Sequence, residues 1–380
     1  MQILKYILTT LSLVLLASCS KEPAPEPPPP SRVLLVYIGV DNNLLSYEEE
    51  KLQGLRDGWT GQDTDKIIVY IDRPDTGARL VELSSLAPTE APREIASFGR
   101  ENSASAETLS RVIRLVSETY PVDSYGLLVF SHASGWLPQG ALNKPTRSII
   151  VDGTREMELS DFASAIPDGL FQYIVFETCH MAGIEVAYEL RYKAPYILAS
   201  SAEIVHPGFA PVYASATPQL LAGDLEAFGK AVYNHTLTYT ESNLQRSATY
   251  SVIRTAALES LATFVRENCD MNLSGEIDVA SLQKFDRLTG YSLFFDFEDY
   301  HSRLCVDDVR RAELSRLVGQ CVVWKASTPG FMTQEAGYNG FMIHKHSGLT
   351  TYVPQTRFPK LNEAYSRLEW AKATWHDQNQ

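Results

Sequence analysis

Two residues of this 380-residue chain have the types and the placing for nucleophilic chemistry, Cys179 and His132. Cys179 follows Tyr173, Ile174, Val175 and Phe176, which read as a short buried strand. It precedes an apolar series at Met181, Ile184, Ala187, Tyr188 and Leu190 with helical spacing. A thiol between the carboxyl end of a strand and the amino end of a helix faces unpaired N–H groups and the positive pole of the helix dipole, surroundings that favour a thiolate. His132 has the same placing, because Tyr125 to Phe130 reads as a second buried strand that runs into Ser131. If both strands lie in one parallel sheet, the two side chains emerge along the edge where open α/β sheets hold their active sites. Thiol and imidazole there form a nucleophile and its acid/base partner. Each residue alone has an ordinary explanation, a small buried hydrophobe or a polar loop residue, and only the paired placement argues for chemistry.

The elements that must position this pair follow from the hydrophobic pattern. Arg32 to Val40 and Lys66 to Asp72 read as buried strands, with Asp41-Asn42-Asn43 as the cap of a helix near Leu44 to Leu55. Arg79 to Leu83 is expected as a third strand at the sheet edge, and Glu107 to Tyr120 as an amphipathic helix that buries Leu109, Val112, Ile113 and Val116. A hairpin is expected around Ser148 to Glu158, and Pro195 to Ser200 reads as another buried strand. Strands alternating with helices, written as apolar runs in place of strict alternation, indicate a doubly wound, mostly parallel sheet flanked by helices. Beyond residue 225 the pattern is weaker. Leu225 to Leu244 and Ala257 to Glu267 read as helices and Ala248 to Thr255 as a strand, a smaller α/β region packed on the core.

The motifs His132-Ala133-Ser134-Gly135-Trp136 and Glu177-Thr178-Cys179-His180-Met181, the second followed by Glu185-Val186-Ala187-Tyr188-Glu189-Leu190, resemble those of the clostripain-related cysteine peptidases. That family pairs a strand ending in His-Gly-x-Gly-Trp with a strand ending in Asp-Ala-Cys-Leu-Met. The resemblance extends over most of residues 32 to 380 and implies a caspase-like fold. It also implies a Cys179/His132 dyad that cuts proteins or peptides through an acyl-thioester, with the backbone N–H groups of Ala133 and Cys179 as the oxyanion hole. By the same resemblance Glu177, assisted by Glu203, is expected to bind a basic side chain ahead of the cut bond, and self-cleavage is expected after Arg147. Some relatives depend on calcium; no other cofactor and no metal site is expected. Ala133, Thr178, Glu177 and His180 stand where the family has glycine, alanine, aspartate and leucine. These departures support the alternative, a catalytically impaired caspase-like lipoprotein that binds peptides or proteins.

Residues 1 to 18 pair Lys5 with an apolar run from Ile7 to Leu16, the pattern of a secretory signal peptide, too short for a membrane span. Leu16-Ala17-Ser18-Cys19 resembles a bacterial lipobox, so Cys19 is the expected lipid anchor, at the periplasmic face of the outer membrane or the cell surface. Ser20-Lys21-Glu22 is similar to export signals of Bacteroidetes surface lipoproteins. Residues 19 to 31 then form a tether in which PAPEPPPP follows a polyproline path of roughly 25 Å. The division is therefore signal 1–18, tether 19–31, peptidase core 32–225 and C-terminal region 226–380. A net charge of −13 argues against nucleic acid as a partner. With Cys179 as nucleophile, Cys269, Cys305 and Cys321 leave room for one disulfide at most, the pairing undetermined, and oligomeric state is equally open. Asp270 to Ser281 imitates a calcium loop but lacks the glutamate at its twelfth position, and His344 and His346, on a strand, read as surface histidines. A serine hydrolase using Ser134 or Ser200 lacks the Gly-x-Ser-x-Gly elbow.

Overall fold

The computed structural model describes residues 31–39, 44–59, 64–83, 91–140, 148–286, 291–332 and 340–375. Signal segment, Cys19, tether as far as residue 30, Asp41-Asn42-Asn43 and Arg147 lie outside the described residues. The central sheet is built, in chain order, from β1 (Arg32–Gly39), β2 (Asp65–Arg73), β3 (Gly77–Glu82), β4 (Arg93–Gly99), β5 (Ser124–Phe130), β6 (Phe171–Glu177), β7 (Tyr196–Ser200), β8 (Thr249–Arg254) and β9 (Val322–Ser327). Across the sheet the order is β9-β8-β7-β6-β5-β1-β2-β3-β4. The five middle strands, β2-β1-β5-β6-β7, run parallel, and an antiparallel pair closes each side.

Helices α1 (Glu48–Asp57), α2 (Ala106–Thr119), α3 (Leu159–Ala165), α4 (Ile184–Glu189), α5 (Ala210–Ala222), α6 (Leu225–Thr236), α7 (Leu258–Asn268), α8 (Phe297–Leu304), α9 (Asp308–Cys321), α10 (Pro359–Ser366) and α11 (Glu369–Thr374) cover both faces. Alternation along each strand divides the core in two. Leu34, Val36 and Ile38 of β1 with Leu128 and Phe130 of β5 meet Leu55 of α1, Tyr213 of α5 and Phe228 of α6. Val33, Leu35 and Tyr37 with Leu127 and Val129 meet the α2 face Leu109, Val112, Ile113 and Val116, together with α3, α4 and α7. Burial on both faces explains why the middle strands are continuous apolar runs. The caspase-like, mostly parallel architecture expected from the sequence is the one observed.

Several details differ. The third strand is not the edge, because β4 pairs outside it; with residues such as Arg93 and Glu94 exposed, β4 carries no apolar run to announce it. The C-terminal region is continuous with the core sheet, to which it adds β8 and β9. Helix α6 stops at Thr236, where the expectation ran to Leu244. Residues Asp270 to Ser281 form two short 3-10 turns in which the Asp270 and Asp278 carboxylates accept the N–H groups of Asn272 and Ala280. Cys269 and Cys305 face one another with Sγ atoms 3.7 Å apart, while Cys321 is buried separately, its thiol pushed up to about 12 by burial. No described helix is long and apolar enough to cross a membrane.

Candidate active site

Strand register brings the two motifs together. Phe130 of β5 pairs with Glu177 of β6, and His132 and Cys179 each lie two residues further on, at the carboxyl edge of adjacent parallel strands. Both are half-buried. The His132 loop is fixed from below by Ser131, whose hydroxyl donates to Gly39 O and accepts the Val151 N–H, each at 3.1 Å. Further along, the Ser134 N–H donates to Ser148 O at 3.1 Å, tying the loop to the expected hairpin, which forms as Ile150–Asp152 with Arg155–Met157. Gly135 has φ of 64°, and a Cβ there would sit 2.8 Å from the His180 carbonyl oxygen. A glycine is needed for the two loops to close on one another.

The Cys179 loop is held as firmly, though not by a helix. Helix α4 begins only at Ile184, so residues 180–183 separate the thiol from the first helical turn, and the expected helix-dipole effect on Cys179 is withdrawn. In its place a backbone donor from another loop reaches the sulfur, the Ile204 N–H at 3.4 Å from Cys179 Sγ. His180 has φ of 60°, the left-handed conformation that reverses the chain after the nucleophile. Its N–H donates to Ala202 O (2.9 Å), its ring stacks on Phe294 (4.5 Å, 12°), and Nδ1 faces Ser201 O (3.3 Å). Ala182 N–H donates to Ser200 O and accepts Thr350 N–H through its carbonyl. The Cys179 loop therefore rests on β7 and on the Ser347–Tyr352 segment.

His180 is the non-glycine residue with positive φ among the described residues, so Ala133 adopts no left-handed geometry. Thr178 is buried and Cys179 half-buried. The Thr178 hydroxyl has no hydrogen-bond partner among the described residues.

Glu177 does not present its carboxylate to a substrate. It is 2% exposed, with Oε1 accepting the Phe209 N–H (2.7 Å) and pairing with Lys51 Nζ, and Oε2 accepting the Tyr213 hydroxyl (2.6 Å). Burial and the Glu177 charge both push the Tyr213 phenol far up, which keeps it a donor. Lys51, 3% exposed, lies 4.2 Å over the Phe130 ring. Glu203 is also buried, in the loop that supplies the Ile204 N–H. Sequence reasoning missed Lys51. Its signal was present, since Glu48, Lys51 and Leu55 share one buried face of α1.

The other candidates fall outside the site or change character. Ser200 is fully buried against Thr249. His344 is exposed, and neither histidine lies on a strand; His346 is half-buried. Its Nε2 lies 3.2 Å from Ser201 Oγ, and burial, then Lys325, pushes the imidazole down to about 3. Among the described residues no three His, Cys, Asp or Glu side chains are grouped to hold a metal.

The model of the clostripain family matches residues 36–364. An inactive zymogen C11 protease from Parabacteroides distasonis is 30% identical with a TM-score of 0.81, over 92% of this chain and 99% of that one. A secreted C11 cysteine protease from Bacteroides thetaiotaomicron has the same fold at 23% identity (TM-score 0.79, 91% and 100% covered), as does one bound to an irreversible peptide inhibitor at 24% (0.78, 90% and 98%). No curated protein matches the sequence. With the family's pattern matching across residues 36–364, and a cysteine and a histidine at neighbouring strand ends, this chain belongs to the clostripain family of cysteine proteases.

Proposed function

We propose that the protein is an endopeptidase in which Cys179 and His132 form the dyad. The observation that carries this is the shared register, which sets both residues two positions beyond paired residues of β5 and β6. Cys179 passes its thiol proton to His132 as Sγ attacks the scissile carbonyl, the oxyanion accepts from the Ala133 and Cys179 N–H groups, and the C–N bond breaks as His132 gives that proton to the leaving amine. Water then attacks the thioester as His132 takes a proton from it, and the C–S bond breaks, releasing the carboxylic acid while His132 returns the proton to sulfur. No step calls for a metal or cofactor. Of the departures that support the binding-module alternative, Ala133 adopts no left-handed geometry.

The test is hydrolysis of a diverse peptide library by wild type and by Cys179→Ala, with intact masses measured alongside. Cys179→Ala should lose at least about a thousandfold in kcat/KM, since the step is covalent. If self-cleavage follows Arg147, wild type alone should yield the two fragments. Hydrolysis surviving in the variant removes the mechanism, and fragments from both chains remove self-cleavage.

A preference for a basic residue ahead of the cut bond rested on Glu177 and Glu203. With Glu177 committed to Lys51, it would have to come from Glu203. Lipid anchoring through Cys19 is proposed from the lipobox alone. In cells that process lipoproteins, wild type should partition with detergent while Cys19→Ser stays in the aqueous phase, and equal partitioning would remove the anchor.

A further inference from the structure

Cys269 caps the end of α7 and Cys305 the end of α8, and at these two caps the chain makes an isolated antiparallel bridge with the cysteines as direct partners. The bridge's hydrogen bond is made by their neighbours, Asp270 N–H to Leu304 O at 2.9 Å. The cysteines therefore form a pair of the non-hydrogen-bonded kind, whose Cα atoms approach to about 4.5 Å, inside the range that a disulfide spans. Their Sγ atoms are already 3.7 Å apart. Side-chain rotation need close only about 1.7 Å to reach a bond of roughly 2.0 Å. The start of α9 holds the pair from two sides, because Arg310 donates to Oδ1 of Asn268, the residue before Cys269, and Arg311 to the Cys305 carbonyl, each at 3.2 Å. The two sulfurs are not alike. The hydrogen bond with Cys269, aided by the Arg311 guanidinium, holds the Cys305 thiol below its ordinary value against burial, while that bond and burial hold Cys269 far above. Cys321 closes α9 at about 15 Å along the helix from Arg311, so it is no competitor for either sulfur.

We infer that Cys269 and Cys305 are a disulfide site, the cross-link this chain makes under oxidising conditions, and that the bond staples α7 to α8. No part of this rests on the peptidase chemistry. The layer so fixed backs the helix after the nucleophile, since Trp370 of α11 meets both Phe297 of α8 and Tyr188 of α4 edge-on. The oxidant is a small-molecule disulfide of the glutathione class. Cys305 Sγ, as thiolate, attacks one of its sulfurs, that S–S bond breaks, and the released thiolate takes up the proton that Cys305 gave to solvent. Cys269 then yields its proton to solvent and attacks Cys305 Sγ in the mixed disulfide, whose S–S bond breaks to release the second small thiolate, which is protonated in turn. Two electrons pass from the cysteine pair to the oxidant, which departs as two thiols. Both cysteines are buried in the finished fold, so the exchange belongs to the folding chain, before α9 closes over them.

The full chain is unfolded in urea, refolded with oxidised in excess over reduced glutathione, alkylated with iodoacetamide in denaturant, and digested without reduction. Mass spectrometry should find one cross-linked pair of peptides, carrying Cys269 and Cys305, with Cys179 and Cys321 in no protein cross-link. Stability is read in the Cys179→Ala background, which excludes self-cleavage. There, oxidation should lower the unfolding equilibrium constant at least about tenfold, and Cys269→Ala/Cys305→Ala should abolish the difference. If the double variant fails to fold, the reduced chain remains the comparison. Recovery of both cysteines alkylated, or a cross-link through Cys321 or Cys179, overturns the site, and a Cys269–Cys305 bond that leaves the unfolding constant unmoved overturns the staple.

Discussion

Glu185, six residues beyond the nucleophile, shows how one side chain couples this site to pH. Its carboxyl is 1% exposed and accepts from the Tyr352 N–H (2.8 Å) and the Thr351 hydroxyl (3.0 Å), with Tyr365 close by. Burial outweighs those hydrogen bonds and pushes the group up to about 7 from an ordinary value of 4.5. Between those two values the folded chain holds a proton that the unfolded chain has released. Its contribution to stability is therefore fully present below about 4.5, falls as pH rises through the window, and is level above about 7. The whole fall amounts to about 3 kcal/mol. Glu185→Gln, which keeps an acceptor for both donors and no charge, should remove that fall. Urea unfolding of both chains at pH 5 and pH 8 measures it, and an equal loss of stability in the two would show that Glu185 stays ionised when folded. At the same scale, the residue types of the dyad were legible in the sequence, whereas the partner of Glu177 was not. Lys51 lies 126 positions away, and no periodicity joins the two.

At the scale of elements, legibility followed burial. Strands β1, β2, β5, β6 and β7 are covered on both faces, so each was written as an apolar run and was found within a residue or two. Strand β4 is half-exposed along its length and gave no such run. Helix α5 was hidden by its prolines. Pro211 sits in the first turn, where a missing N–H costs nothing, and Pro218 lies inside the helix, which closes at Gly223 in the left-handed conformation. Helix α9 buries Leu314, Leu317, Val318 and Cys321, all from its seventh residue on, too short a stripe to stand out. The error that mattered most for chemistry was the start of α4. Apolar spacing from Met181 onward matched a helix, but Met181 and Ala182 are buried in a loop whose backbone is bonded to β7. A pattern of burial was read as a pattern of helix, and the helix dipole was credited with what the Ile204 N–H supplies.

At the scale of the molecule, the division into a core ending at residue 225 and an appended region does not describe how the site is held. Strand β8 pairs with β7 from Tyr250 with Ser200 to Arg254 with Tyr196, so removing it would uncover the edge of the strand on which the Cys179 loop rests. One continuous core runs from Val33 to Ala371. Trp370, fully buried, meets Tyr188 of α4 edge-on at 5.4 Å, and Thr350 and Tyr352 donate backbone N–H groups to Ala182 and Glu185 around the nucleophile. A chain of residues 31 to 225 would expose these faces and leave the buried Glu185 carboxyl without its donors, each a cost of several kcal/mol against a total stability of about 5–15 kcal/mol. It should show no cooperative urea transition, and its Cys179 should react with a peptidyl electrophile no faster than an unfolded thiol does. The full chain of 380 residues should show both a transition and accelerated labelling. A 31–225 fragment that unfolds cooperatively and labels at the rate of the full chain would mean that the C-terminal strands decorate the site without supporting it.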